Sequence, residues 1–214
     1  MPRLFPSFVA VLALGGGATL GVAPAHAQTG ASKPSEKTAK TPERMMELFG
    51  PAIELAKKDQ FKEAVAAIDK VLEANPEYAS DIAVGRFDFL LKYDEDAAQK
   101  YALKVAATDF KGKANTLNAM AWAIVEPESK VKKPDYAAAV TLAEASVASS
   151  KLKAPWLFDT LVYAYEKAGD LDKAIATGEK VIALYPPDSK SEFLPSFVAR
   201  VAALKKLRAA APAK

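Results

Sequence analysis

Apolar residues recur at helical spacing through most of the chain. Between residues 60 and 74 they fall at Phe61, Val65, Ile68, Val71 and Leu72, which places them on one side of a helix. No stretch alternates apolar and polar positions with period two, so we predict no sheet. A first helix is expected to open at Thr41, and others over about 60–74, 76–92, 95–107, 113–125, 135–149, 155–168, 171–185 and 191–208.

Capping and turn residues mark the ends of these helices. Thr41 followed by Pro42 is a typical start, because Thr caps the helix and Pro loses nothing by lacking an N–H at the first position. Pro51 predicts a kink or a break in the first helix. Gly169-Asp170 predicts a tight turn between two helices. The acidic run 94–96 is interpreted as capping, because its surroundings lack the Gly and Glu of a calcium loop.

A sparse pattern repeats four times along the chain. An acidic or turn residue precedes a short helical run with a fixed alanine, and the four alanines are Ala64, Ala97, Ala139 and Ala174. Their intervals are 33, 42 and 35 residues, and an insertion over 127–134 accounts for the long one. A period near 34 residues predicts a stacked array of helical hairpins. A last helix over 190–209, apolar on one side and charged on the other, is predicted to cap the array.

The first residues have the pattern of a secretory signal. Arg3 precedes an uncharged, partly apolar run, and small residues end it before a predicted cleavage after Ala27. An uncleaved membrane anchor is the alternative, although glycines and prolines interrupt the run. Residues 28–41 are polar and lack apolar periodicity, so they are predicted to form a disordered linker.

Composition excludes several kinds of chemistry. The chain has no Cys, and its one His is His26, inside the predicted signal. The mature chain would therefore lack Ser-His-Asp, Cys-His and thiol chemistry, as well as His or Cys metal ligands. Removing Arg3 with the signal leaves 28 basic and 26 acidic residues, a net charge of +2. This balance does not predict nucleic-acid binding.

The fourth unit resembles a tetratricopeptide repeat. The matching positions are Phe158, Leu161, Tyr165, Gly169, Ala174 and Pro186. Val162 and Gly178 depart from the pattern, and Gly178 is expected to allow close approach of a neighbouring helix or of a ligand. The resemblance extends over residues 42–187, more weakly in the other units. The third and fourth units are also similar to the helical tails of some exported thioredoxin-like proteins.

The resemblance implies a superhelical all-α array of about four hairpins, with a groove lined by the first helix of each pair. The implied groove residues are Phe49, Ile53, Arg86, Phe89, Asn118, Trp122, Asp159, Tyr163 and Lys167. Arg86 and Asn118 are the favoured pair for hydrogen bonds to an extended peptide or a carboxylate. The alternative is that the aromatic residues of this set only pack between hairpins.

The leading hypothesis is a non-catalytic, periplasmic or secreted scaffold that binds a protein or peptide partner without a cofactor. It could instead be a helical partner of an exported thioredoxin-like protein, or a small-ligand carrier with a groove around Trp122 and Trp156. A less favoured hypothesis is a glycan hydrolase that uses Asp88, Asp159 and Glu166. The sequence identifies neither the partner nor the oligomeric state.

Overall fold

The computed structural model describes residues 40–110, 112–150, 154–185, 189 and 191–210. Every regular element in these ranges is helical, as the apolar spacing predicts. The predicted signal peptide and nearly all of the predicted linker lie outside the described residues. The helices are α1 (Pro42–Ala56), α2 (Phe61–Ala74), α3 (Ala79–Tyr93), α4 (Glu95–Ala106), α5 (Lys113–Val125), α6 (Tyr136–Ser149), α7 (Pro155–Lys167), α8 (Leu171–Leu184) and α9 (Leu194–Ala210).

The chain divides into two compact units, residues 1–77 and 78–214. The described part of the first unit is one helical hairpin, in which α1 packs on α2. Phe49 and Ile53 of α1 and Ala64 and Ile68 of α2 are buried. A 3-10 turn, Pro76–Tyr78, follows α2.

Helix α1 begins as predicted but does not end at Pro51. Thr41 Oγ1 accepts a hydrogen bond from the Arg44 N–H at 3.2 Å. The helix continues through Pro51 to Ala56, so a break at this point is wrong. Pro51 lies on the exposed side of α1, where water can hydrate the Glu47 carbonyl that lacks a helical donor.

The second unit contains three consecutive hairpins, α3–α4, α5–α6 and α7–α8, followed by α9. Each first helix packs on the next, α3 on α5 and α5 on α7, while the second helices α4 and α6 also pack together. Helix α9 packs on α8 through an apolar stripe of Phe197, Val201 and Leu204. The predicted start of α9 was three residues too early.

Aspartates begin the second helix of each hairpin in this unit. Asp94, Asp135 and Asp170 each accept a hydrogen bond from the backbone N–H three residues later, at 2.9, 2.8 and 3.0 Å. The capping interpretation of the acidic run at 94–96 is therefore confirmed for Asp94. Gly169 takes a positive φ of 80° in the turn before Asp170, a conformation that favours Gly.

The insertion between α5 and α6 is held by the side chains of α4. The Glu95 carboxylate accepts hydrogen bonds from the Lys132 and Lys133 N–H groups, with N–O distances of 2.9 to 3.1 Å. These backbone donors lower the pKa of Glu95. The Gln99 amide donates to the Lys133 carbonyl and accepts from the Asp135 N–H. The insertion is thus a fixed loop that joins neighbouring hairpins.

The repeated alanines differ in burial. Ala64, Ala139 and Ala174 are fully buried, whereas Ala97 is half-buried and its neighbour Ala98 is fully buried. Small buried residues allow the two helices of a hairpin to approach closely. In the second hairpin of the chain this contact therefore falls on Ala98, one position later than the pattern predicts.

Gly178 is buried on α8 and faces α9. A methyl group added at this position would overlap Val201 Cγ2 and would lie 3.9 Å from Val162 Cγ2. The departure from the repeat pattern is therefore explained by close approach of a neighbouring helix, which was one of the two predicted reasons.

Candidate functional site

Helices α5, α7 and α9 bring a group of aromatic and charged side chains together. The Trp122 and Tyr163 rings meet edge to face, with centroids 5.2 Å apart and an interplanar angle of 89°. The Arg200 guanidinium lies over the Tyr163 ring, with Cζ 3.1 Å from the centroid. Arg200 also forms an ion pair with Glu166. We call these four residues the Trp122 cluster.

Helical spacing explains how the cluster is assembled. Tyr163 and Glu166 are three residues apart on α7, so their side chains project from the same side. Arg200 directly precedes Val201 and lies three residues after Phe197, both buried against the rest of the unit. Packing of this apolar stripe therefore fixes the position of the arginine at the edge of α9.

Two carboxylates extend the cluster towards α3. The Trp122 side chain donates a hydrogen bond to Glu126, which lowers the pKa of that carboxyl, but burial raises it more. Burial raises the pKa of Asp88 on α3 to about 6, and the Glu126 charge adds to this rise against the opposing effect of Lys92. We call the side of the first helices α5 and α7 that carries Trp122 and Tyr163 the first-helix face, and Asp88 on the neighbouring α3 is near enough to Glu126 for the two charges to interact.

Asn118 adds an unsatisfied acceptor to the first-helix face. It lies one turn before Trp122 on the same side of α5 and is only 3% exposed. Its Oδ1 is buried and has no hydrogen-bond partner among the described residues, nor does Arg200 Nε. A buried polar atom without a partner typically costs about 1–3 kcal/mol, so Asn118 is poorly explained by stability alone.

The structure brings some of the predicted groove residues together and places others elsewhere. Trp122 and Tyr163 are in contact, but Arg86 lies over the Tyr101 ring of α4, with Cζ 4.3 Å from the centroid. Phe49 and Phe89 are buried. The remaining predicted groove residues are buried Ile53 and Asn118, half-buried Asp159 and exposed Lys167.

The groove prediction missed Arg200 and Glu126, and it did not use Glu166. Arg200 could have been noticed, because it is a charged residue at the edge of the Phe197–Val201 apolar stripe. Glu126 carries a weaker signal, because a residue before proline typically marks the end of a helix and does not by itself indicate a contact. The Arg200 contact could not be derived from the repeat pattern, because it joins different hairpins. Glu126 follows Trp122 by four residues, so i, i+4 spacing could have indicated that contact.

The residues proposed for a small-ligand carrier and for a glycan hydrolase can also be located in the structure. Trp156 is 45% exposed on the first turn of α7, and Trp122 packs on Tyr163. Two depressions of about 300 Å³ lie elsewhere, one beside Gln99 and Pro134 and one beside Phe110. Of the three carboxylates considered for glycan hydrolysis, Glu166 is paired with Arg200, and the neighbouring carboxylate that acts on Asp88 is Glu126.

Within the described ranges, no group of three or more His, Cys, Asp or Glu side chains is arranged to hold a metal ion. None of the helices in this part of the chain is long and apolar enough to span a membrane. Comparison with protein-family models, curated proteins and solved structures found no match.

Proposed function

We propose that this protein is a non-catalytic, exported scaffold with a tetratricopeptide-like superhelical arrangement, which binds a protein partner on its first-helix face. The partner would contribute an extended or peptide-like segment. Export is inferred from the signal-like pattern of residues 1–27, and the repeat arrangement from the fourth unit and from the serial packing of first helices.

One observation carries the proposal. The first-helix face holds a buried Asn118 oxygen without a partner beside Trp122, whose ring packs on Tyr163. Aromatic and Arg side chains dominate the energetics of many protein interfaces, and Arg200 completes this set. An unsatisfied polar atom beside such residues favours a binding surface over simple packing between hairpins, because packing alone would be more stable with an apolar side chain at 118.

The proposal can be tested by photo-cross-linking in cells. A photoreactive phenylalanine analogue would replace Tyr163 in the full chain, because it keeps an aromatic ring in the cluster. A matched chain would carry the analogue at Ala176, which is exposed on the second helix α8. We expect position 163 to cross-link to one defined segment of a single partner, identified by mass spectrometry, and position 176 not to do so.

Two results of this experiment would contradict the proposal. Equal capture of the same segment at 163 and 176 would show that the first-helix face is not the binding surface. Absence of any cross-link at 163, in a chain whose circular dichroism spectrum matches the wild type, would contradict the proposal.

A further inference from the structure

Helix α9 makes the contacts of a first helix, but the described part of the chain gives it no second helix. Helix α5 packs on both helices of the hairpin before it, and so does α7. Helix α9 repeats this arrangement, because it packs on α8 and touches α7 through Arg200. Each of α3, α5 and α7 also packs on the second helix of its own hairpin. Within the described ranges, α9 is the last helix and has no such neighbour.

Apolar residues lie all round α9 and not only on its buried side. Phe197, Val201 and Leu204 face the rest of the unit and are buried. Val198 and Leu207 point in other directions and are 48% and 52% exposed. A helix that is apolar all round is typically covered by neighbours all round. The composition of α9 therefore indicates that a further element packs on its open side.

Two exposed rows of side chains cross the open side of α9 and leave a groove between them. Residues four apart in a helix form such rows, and rows of one helix pack into the grooves of another. All members of both rows are exposed. One row contains Val198, Ala202, Lys206 and Ala210, and the other contains Pro195, Ala199, Ala203 and Leu207. The groove is about 18 Å long at the rise of an α-helix, and its small alanines let another helix approach closely.

The charges of α9 indicate which kind of helix fits this groove. The helix contains four basic residues and no acidic one. Lys206, which lies in one of the exposed rows, forms no ion pair within the described residues. A carboxylate opposite Lys206 would match it, whereas α9 of a second copy would bring further positive charge. The other three basic residues are paired with carboxylates of α7 and α8, as Arg200–Glu166, Lys205–Glu179 and Arg208–Asp172.

We propose that the groove of α9 binds an acidic, amphipathic helix of a partner protein, which takes the place of a second helix. The bound helix would insert an apolar row between the two rows of α9 and place an acidic side chain opposite Lys206. Binding of an amphipathic helix in a groove is a common mode of peptide recognition. The inference goes beyond the proposed function, because it concerns a different surface and a helical segment instead of an extended one.

Three labelled helical peptides of about 18 residues would test the inference against the purified full chain. One carries an apolar row flanked by glutamates, one carries the same row flanked by lysines, and one keeps the glutamates but has glutamine in place of the apolar row. Binding is measured by fluorescence anisotropy. We expect the first peptide to bind at least about tenfold more tightly than the peptide without the apolar row, and several-fold more tightly than the lysine peptide.

Three variants of exposed residues locate the binding on α9. Ala202→Gln fills the groove and should weaken binding of the first peptide about tenfold or more. Ala176→Gln, on an exposed position of α8, is the matched control and should leave binding unchanged. Lys206→Glu should reverse the charge preference, so that the lysine peptide binds more tightly than the glutamate peptide. Loss of folding could not produce this reversal.

Four results would overturn the inference. They are no detectable binding of the first peptide, undiminished binding by Ala202→Gln, an unchanged charge preference in Lys206→Glu, and a concentration-dependent dimer of the full chain that Ala202→Gln abolishes. The last result, measured by analytical ultracentrifugation, would assign the groove to a second copy. None of these results bears on the first-helix face, which the cross-linking at position 163 tests separately.

Discussion

Replacing Asp88 by Asn should stabilise the protein at neutral pH, by about 1–3 kcal/mol. The Asp88 pKa is raised from 3.8 to about 6, chiefly because burial disfavours the charged carboxylate. An Asp with a raised pKa in the folded state lowers stability once it ionises. The penalty is absent below about pH 4, grows between about pH 4 and pH 6, and is complete above pH 6.

The measurement is the free energy of unfolding in urea, determined for the wild type and for Asp88→Asn at several pH values across this range and compared at each pH. We expect the two proteins to be equally stable near pH 4 and to diverge up to pH 6. Glu95→Gln is the control of opposite sign, because two backbone N–H groups lower the pKa of Glu95. The Glu95→Gln variant should be less stable than the wild type above the ordinary pKa of a Glu carboxyl. This difference should vanish as the pH falls through the lowered pKa of Glu95 in the folded protein. If the difference in unfolding free energy between the wild type and Asp88→Asn did not change with pH, the raised pKa of Asp88 would be contradicted.

Replacing Gly178 by Ala should destabilise the second unit, although Ala is the better helix former by about 1 kcal/mol. The added methyl group would overlap Val201 Cγ2, the tip of a β-branched side chain on a packed helix. Overpacking of this kind costs about 1–3 kcal/mol, so after the gain in helix propensity the net loss in urea unfolding should be up to about 2 kcal/mol.

Two further variants identify the cause of that loss. Gly50→Ala is the matched control within α1, because its added methyl would lie at 3.4 Å from the flexible Met46 side chain. It should be neutral or stabilising by up to about 1 kcal/mol. In the second variant, Val201→Ala combined with Gly178→Ala should lose less stability than the sum of the two single changes. Strict additivity would show that the Val201 contact is not responsible.

Local signals predicted the helices well. Asp94, Asp135 and Asp170 are caps whose hydrogen bonds lie within four residues, so the sequence contains all the atoms involved. The same holds for the positive φ of Gly169. Pro51 predicted a kink or a break, and the break is wrong, because the cost of proline in a helix depends on whether water reaches the carbonyl one turn earlier, which is a tertiary property.

Contacts between hairpins were much less predictable. The sequence placed Trp122 and Tyr163 on first helices but could not show that their rings meet, or that Arg200 from the last helix lies over Tyr163. Arg86 shows the same limit, because its helical position is compatible both with a groove and with the Tyr101 ring that it covers. Such contacts depend on the rotation and offset of neighbouring helices, which a repeat period does not specify.

Asn118 provides the most direct test that the first-helix face serves binding rather than packing. The measurement is cross-linking yield at position 163 in the Asn118→Leu chain, with its unfolding free energy determined in parallel. Leu removes the buried oxygen without leaving a large cavity, so we predict a protein at least as stable as the wild type that captures much less partner. A less stable Asn118→Leu chain with undiminished capture would contradict the account, because it would make Asn118 a structural residue.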